Sequence, residues 1–458
     1  MNLSIFMCML FALQLFYWIV GRCASKEVVD KQDYFLAKKS VQFFPLMMTF
    51  VGVIVGGGVV LGSAEEAYLY GWPVFFYPLG GALGLMALGT GIGRRLAELP
   101  VSTVAQICEV TYGSSFLKKI ASVLSMVSLF MILVGQIIAS SKFLVSLGVS
   151  NTPLFIIFWA IVIVYTVQGG LKAVISTDLI QASLFITVFL FCLGYVLYFE
   201  PAVASLQLPQ IQDFQVVSPK LAGWLLMPLF FMVIEQDIAQ RCFAGTSPKI
   251  VSRAAFSAGI CTLIVSIVPL FFGVLAKSIQ LDVPKGGSVL MSAIIETTNP
   301  ILSSLVGCAI LAAIISTASA LINAISSNLS NDFNIASSNS KGSLKMIRII
   351  TSFISVAAIL FAFFFDNIVD VMIQSYELSV SCLFIPIFVA LFKKQGNLIS
   401  ASLAMLFGAF GFVLFRMYPI EFPKEVASIL LSLFGYVCGE VIASLRENFK
   451  VGSKLKVQ

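Results

Sequence analysis

The feature that most constrains this chain is a series of apolar runs, each about 20 residues long, recurring from its first residues to residue 445. A helix rises about 1.5 Å per residue, so one such run matches the ~30 Å hydrocarbon core of a bilayer. Of the 458 residues, 59% are apolar and 11% are charged. Soluble domains carry about 25% charged residues, and a soluble fold of this size needs a wetted surface that this composition does not supply. Disorder fails for the opposite reason, because a chain this apolar does not stay solvated. A β-barrel would show alternating segments of about ten residues, half the length seen here. The chain reads as an all-α polytopic membrane protein.

About 13 spans can be placed, at 2–21, 44–63, 70–93, 116–147, 151–168, 178–199, 221–241, 254–276, 298–330, 346–365, 367–392, 397–417 and 425–445. The first has no basic residue before its apolar run and carries Arg22 and Lys26 after it. That order predicts an uncleaved helix with the N-terminus outside. Threading the rest by alternation leaves only Lys142, Lys220, Lys277, Lys285, Arg416 and Lys424 on the outer side, out of 28 Lys and Arg. The other 22 fall on the inner side, including Lys31, Lys341, Lys450, Lys454 and Lys456. Basic residues favour the cytoplasmic side, so the count and a cytoplasmic C-terminus support each other. The localisation expected is the cell membrane. The net charge of +6 is then a membrane signature rather than a nucleic-acid one. The polar stretches reach only about 20 residues, the longest being 200–219, so residues 1–458 read as one transmembrane domain.

Absences limit the chemistry. With no histidine, Ser-His triads, histidine proton relays and histidine-ligated haem or metal are excluded. The nine cysteines form no Cys-x-x-Cys pair and read as free thiols used as small apolar residues. No nucleophile–base pair is evident, so an enzyme is not expected, and neither is an organic cofactor.

Two spans carry helix breakers. The span 44–63 contains Gly52 and the triplet Gly56-Gly57-Gly58. Each helix-interior glycine costs up to about 1 kcal/mol relative to alanine, so the triplet predicts unwinding; close packing through small residues is the other reading. The span 221–241 contains Gly223 and Pro228, and the proline predicts a kink because it removes a backbone donor. Each of these spans opens a block of five, 44–199 and 221–392. That is the pattern of a five-plus-five inverted-repeat, LeuT-like transporter core, here with one extra N-terminal helix (2–21) and two extra C-terminal helices (397–445). Unwound backbone at membrane depth survives where it lines a cavity, which places the sites beside Gly52–Gly58 and around 228–235.

The span 298–330 is rich in hydroxyls. Ala313, Ser316 and Thr317 stand at i, i+3 and i+4 and share one helix face. Two hydroxyls and a carbonyl there, opposite two carbonyls of an unwound helix, would make a five-oxygen cage suited to Na+. The alternative is that these residues permit close packing or bond their own helix. Acidic residues at membrane depth mark sites as well, because charge there is costly. They are Asp178, Glu235, Asp237 and Glu377, with Glu65 and Glu66 nearer the outer mouth. Pairing of Asp178 and Asp237 with Lys172 or Arg241 is the bland reading for those two.

The segment Tyr165-Thr166-Val167-Gln168-Gly169-Gly170-Leu171-Lys172-Ala173-Val174-Ile175-Ser176-Thr177-Asp178-Leu179-Ile180-Gln181 resembles the signature of the sodium:solute symporter family. Gln236–Ala244 resembles that family's sixth core helix, and 312–323 leading to Asn331-Asp332 its eighth. The resemblance implies a sodium site from the backbone of Gly52 and Val55 with Ala313, Ser316 and Thr317. It also implies a second sodium or proton site at Asp178 with Ser316 and Ser319, although Ala320 stands where another hydroxyl is expected. The positions used by sugar-transporting relatives are Val59, Pro78 and Pro228 here, so a sugar is not expected. Solute contacts are assigned to Gly56, Gly57, Val59, Tyr77, Phe231 and Gln374, with Phe76 and Phe230 nearby.

The expectation is sodium-coupled uptake of a small polar solute, an amino acid or organic acid, by alternating access. Sodium, solute and lipid are its partners, and a monomer suffices. A proton-coupled symporter using Asp178 or Glu377, or a sensor or channel on the same scaffold, are the rivals.

Overall fold

The computed structural model describes residues 1–26, 28, 31–148, 152–206, 209–333, 335, 341–418 and 420–455. The side chains of Lys31, Tyr165, Gln168, Lys341, Lys450 and Lys454, and all of Lys456, lie outside the described residues. Among the described residues every regular element is helical, apart from one bridge between Val41 and Gly245.

Eleven helices are long and apolar enough to cross a membrane, and a bent pair adds a twelfth. The shorter apolar helix Phe155–Val164 takes the remaining place. In chain order they are α1 (Leu3–Ser25), α2a and α2b (Phe43–Ile54 and Gly58–Tyr70), α3 (Trp72–Glu98), α4 (Ser115–Ser146), α5 (Phe155–Val164) and α6 (Gly169–Phe199). There follow α7a (Ile211–Ile234) and α7b (Gln236–Ala244), α8 (Pro248–Ser278), α9 (Pro300–Asp332), α10 (Lys345–Phe364), α11 (Ile368–Ala390), α12 (Leu398–Met417) and α13 (Lys424–Arg446). The protein is an integral membrane protein.

Local sequence explains the boundaries. Gly71, at φ +75°, ends α2b and starts α3 two residues later than the hydropathy suggests. Gly170, at φ +58°, kinks the chain at the start of α6, and a Cβ there would sit 2.5 Å from the Tyr34 carbonyl oxygen. Only glycine tolerates both the left-handed backbone and that approach. The seventh span corrects the sequence reading twice. It begins at Ile211, inside the stretch read as a polar connection, and it stays helical through Pro219 and Pro228. Beyond Pro228 the helix breaks at Glu235, where ψ is 126°. A membrane helix absorbs a lost proline donor when neighbouring helices cover it.

The helices pack as two groups. In one, α8 lies against α2a, α2b and α3, and α3 against α7a. In the other, α9 lies against α4 and the α5–α6 element. Helix α2a also touches α6 and α9, which places the broken helix at the seam. Helix α9 is buried along nearly its whole length, as its Ala, Ser and Gly content permits. Helices α12 and α13 pair with each other and lean on α11. Large side chains such as Phe116, Phe191, Phe353 and Phe410 are exposed, as a lipid-facing surface requires.

Candidate ion and solute sites

The break in α2 sits at Val55, with φ −82° and ψ 64°. There the Gly56 N–H turns back to the Ile54 carbonyl at 2.9 Å, so the Gly52 carbonyl loses its expected helical donor. The Gly57 N–H donates instead to Gln136 Oε1 on α4 at 2.6 Å, which frees the Val53 carbonyl as well. The Thr317 hydroxyl of α9 meets both, lying 3.0 Å from the Gly52 oxygen and 2.9 Å from the Val53 oxygen. It also lies 3.3 Å from the Ala313 oxygen of its own helix. A hydroxyl has a single proton to offer, so three carbonyls converging on it hold surplus lone pairs. A small hard cation relieves such a surplus, and neutral oxygens are its natural ligands. The donor set therefore fits sodium. Space there is tight: a Cβ on Gly56 would collide with Thr317 Oγ1 and approach Gln136 Oε1 to 2.8 Å.

Ser316 points elsewhere. Its hydroxyl donates to Asp178 Oδ1 at 2.7 Å. Asp178 Oδ2 accepts from Arg241 Nη2 at 3.0 Å and from the Thr49 hydroxyl. Arg241 Nε donates to Thr49 Oγ1 at 2.8 Å and Nη1 to the Asp237 carbonyl at 2.9 Å. Both charged side chains are 0% exposed. Burying two charges costs several kcal/mol per ion unless the remaining donors and acceptors are satisfied, and the fork of Arg241 satisfies most of them. The network joins α6 and α9 to α2a and α7b, across the seam between the two packing groups.

A cavity lies beside the break. Val53, Ile54, Val59, Tyr77, Pro78, Gly81, Pro228, Glu235, Thr317, Met372 and Tyr376 are among its walls. Its volume is about 20 Å³, room for one water. Glu235, at the break in α7, is 5% exposed, and its Oε2 has no hydrogen-bond partner. Tyr77 donates weakly to Met372 Sδ at 3.4 Å. Phe231 stacks on Tyr376 with ring centroids 4.6 Å apart.

The end of the bundle that carries Arg94, Arg95, Lys118 and Lys119 is sealed below the cavity. Val41 N–H donates to the Ala244 carbonyl and Thr246 N–H to the Val41 carbonyl, each at 3.1 Å. Gln240 Nε2 donates to the Phe35 carbonyl at 2.6 Å, and the Tyr34 hydroxyl to the Val167 carbonyl at 2.9 Å.

The residues singled out from sequence divide accordingly. Gly52, Ala313 and Thr317 meet at the break, and Val55 forms it. Gly56 and Gly57 abut Thr317 and Gln136. Val59 and Tyr77 line the cavity, with Phe231 behind Tyr376. Asp178 meets Ser316 but not Ser319, whose hydroxyl donates to the Ser316 carbonyl at 3.0 Å. Gln374 is exposed and lines a separate groove of about 700 Å³ between α7a, α11 and the α12–α13 turn. Helix phase explains this: Met372 and Tyr376, four residues apart, face the cavity, which turns Gln374 to the opposite side. Glu377 opens on the same groove and pairs with Arg416 at 2.9 Å. Sequence reasoning missed Thr49, Val53, Gln136 and Tyr376, and saw Arg241 only as a partner for Asp178 or Asp237. Gln136 carries the clearest signal, as the lone amide in the apolar run 129–139.

A family model, the sodium:solute symporter family, matches residues 34–408, and the chain belongs to that family. The sodium/pantothenate symporter of Haemophilus influenzae is 24% identical over 450 residues, covering 90% of this chain and 91% of its own length. Among solved structures, a Na+-coupled sialic acid symporter in a substrate-bound outward-open state superposes with a TM-score of 0.75 at 18% identity, covering 95% of this chain and 97% of that one. A nucleobase-cation-symport-1 family transporter in a closed conformation superposes at 0.61 and 14% identity, covering 90% and 95%. The fold is the LeuT-like one, with two five-helix sets, α2–α6 and α7–α11, flanked by α1 and by α12 and α13.

Proposed function

We propose that this protein couples sodium entry to uptake of a small polar organic solute, an amino acid or organic acid, by alternating access. The observation that carries the reading is the Thr317 hydroxyl on α9, set against the freed Gly52 and Val53 carbonyls of α2a. An ion held there ties one packing group to the other, so its binding biases how the two groups sit. The N-terminus lies outside and the sealed, basic end faces the cytoplasm. Opening toward that side must part Arg241 from Asp178 and Val41 from Ala244 and Thr246. One charge moving across 100 mV contributes about 2.3 kcal/mol, roughly a 50-fold solute gradient. The names of the relatives, for pantothenate and sialic acid, support an organic solute. Proton coupling through Asp178 or Glu377 has less support, since an arginine holds each.

The test is uptake by proteoliposomes under an imposed sodium gradient, with amino acids and organic acids as labelled solutes. Ser316→Ala with Thr317→Ala is expected to abolish the sodium dependence. Sodium-dependent uptake that survives the double substitution overturns the site assignment. Uptake indifferent to sodium but steep in pH overturns the coupling.

A further inference from the structure

We infer that the transported solute carries a protonated amine with at least one N–H, and that Glu235 is the residue that selects it. The inference rests on the cavity beside α2 and α7 being the solute site. Glu235 stands where α7 leaves helical geometry, with φ −70° and ψ 126°, and its side chain is among the cavity walls. A carboxylate only accepts hydrogen bonds. Its Oε2 is buried and unpartnered, and a buried acceptor left open is a rare arrangement that calls for an occupant.

The surroundings supply no cation to fill that role. Among the described residues, neither Lys nor Arg contributes to the cavity walls, and Glu235 is the one carboxylate there. Asp237, two residues on, has Oδ1 taken by the Ile238 N–H at 2.8 Å, and its side chain meets the Glu235 carboxyl, an acid rather than a cation. Arg241, a turn further, is committed to Asp178, Thr49 and the Asp237 carbonyl. Tyr77 and Tyr376 present aromatic walls, which attract a cation over their faces. A solute bearing only a carboxylate would meet a like charge without a partner. A quaternary ammonium satisfies the rings but offers no proton to Oε2. A primary or secondary ammonium satisfies both, and among the two solute classes this favours amino acids over simple organic acids.

The experiment is thermal stabilisation of the full-length purified protein, in sodium and in potassium at equal ionic strength. The probes are the standard amino acids, ethanolamine, choline, glycine betaine, lactate, pantothenate and glucose. The expected result is stabilisation by one or more probes with an N–H amine. Glu235→Gln should keep the ligand-free melting temperature and raise the half-stabilising concentration about tenfold or more, and Glu235→Asp should lose less. Stabilisation only by probes without an N–H amine, stabilisation by none, or a Glu235→Gln variant that binds the amine as well as the parent overturns the inference. The sodium arm separates this from the coupling mechanism. Amine stabilisation equal in both salts sinks sodium coupling and leaves the selector role standing. Sodium-dependent stabilisation by lactate or pantothenate alone does the reverse.

Discussion

At the break in α2, the backbone groups released by unwinding meet neutral partners: the Thr317 hydroxyl for two carbonyls and the Gln136 amide oxygen for the Gly57 N–H. At the break in α7, a carboxylate stands at the broken position with one oxygen unpartnered. Both breaks open on the same small cavity. The difference teaches how one fold can hold two ligands. Neutral oxygens crowded together suit a bare monovalent ion, whose charge they compensate without a salt bridge. A carboxyl against tyrosines suits a larger solute that brings its own donor and charge.

The buried pair between Asp178 and Arg241 anchors both breaks, through Thr49 on α2a and through α7b itself. Arg241→Met leaves Asp178 uncompensated at 0% exposure, and breaking a buried pair this way costs about 3–5 kcal/mol. The expected result is a large drop in melting temperature in detergent, partly restored by Arg241→Lys. A variant as stable as the parent would show that the two breaks are not tied together there.

Gly56→Ala probes the neutral break. Its new methyl group collides with Thr317 Oγ1 and crowds Gln136, and overpacking of that kind costs about 1–3 kcal/mol. Sodium titration of thermal stability should show a weakened midpoint. Unchanged sodium response would separate the glycine triplet from the ion site.

Glu235→Gln probes the charged break and should behave oppositely. The carboxylate has a buried oxygen without a donor to lose, so ligand-free stability should match the parent's or rise. A destabilisation as large as that of Arg241→Met would mean that Glu235 is structural, and the contrast between the breaks would fail.

The fold was largely legible because membrane helices are written in long apolar runs, and the glycine triplet announced its break directly. Thr317 was legible for a related reason: one helix face carries Ala313, Ser316 and Thr317, and helical spacing reveals faces. The rest depends on how helices cross. Gln136 and Thr49 reach the site from α4 and α2a, and no spacing rule connects them to Thr317 or Asp178. Ser316 shares its face with Thr317 yet turns to Asp178, because Gly52 leaves room for its hydroxyl and Arg241 draws the carboxylate close. Pro228 stays within its helix, and the break at Glu235 has no glycine or proline to announce it. Gln374 lines the outer groove and not the cavity, because a motif position does not fix helix phase.

The central claim is that the freed carbonyls at Gly52 and Val53, with the Thr317 hydroxyl, hold the coupling sodium. It is tested most directly by titrating sodium against potassium at constant ionic strength while following the melting temperature of the parent and of Thr317→Val. Ligand that binds only the folded state raises stability with the logarithm of its concentration. The account predicts a rising melting temperature for the parent and a flat line for Thr317→Val. Equal sodium stabilisation of the two would contradict it.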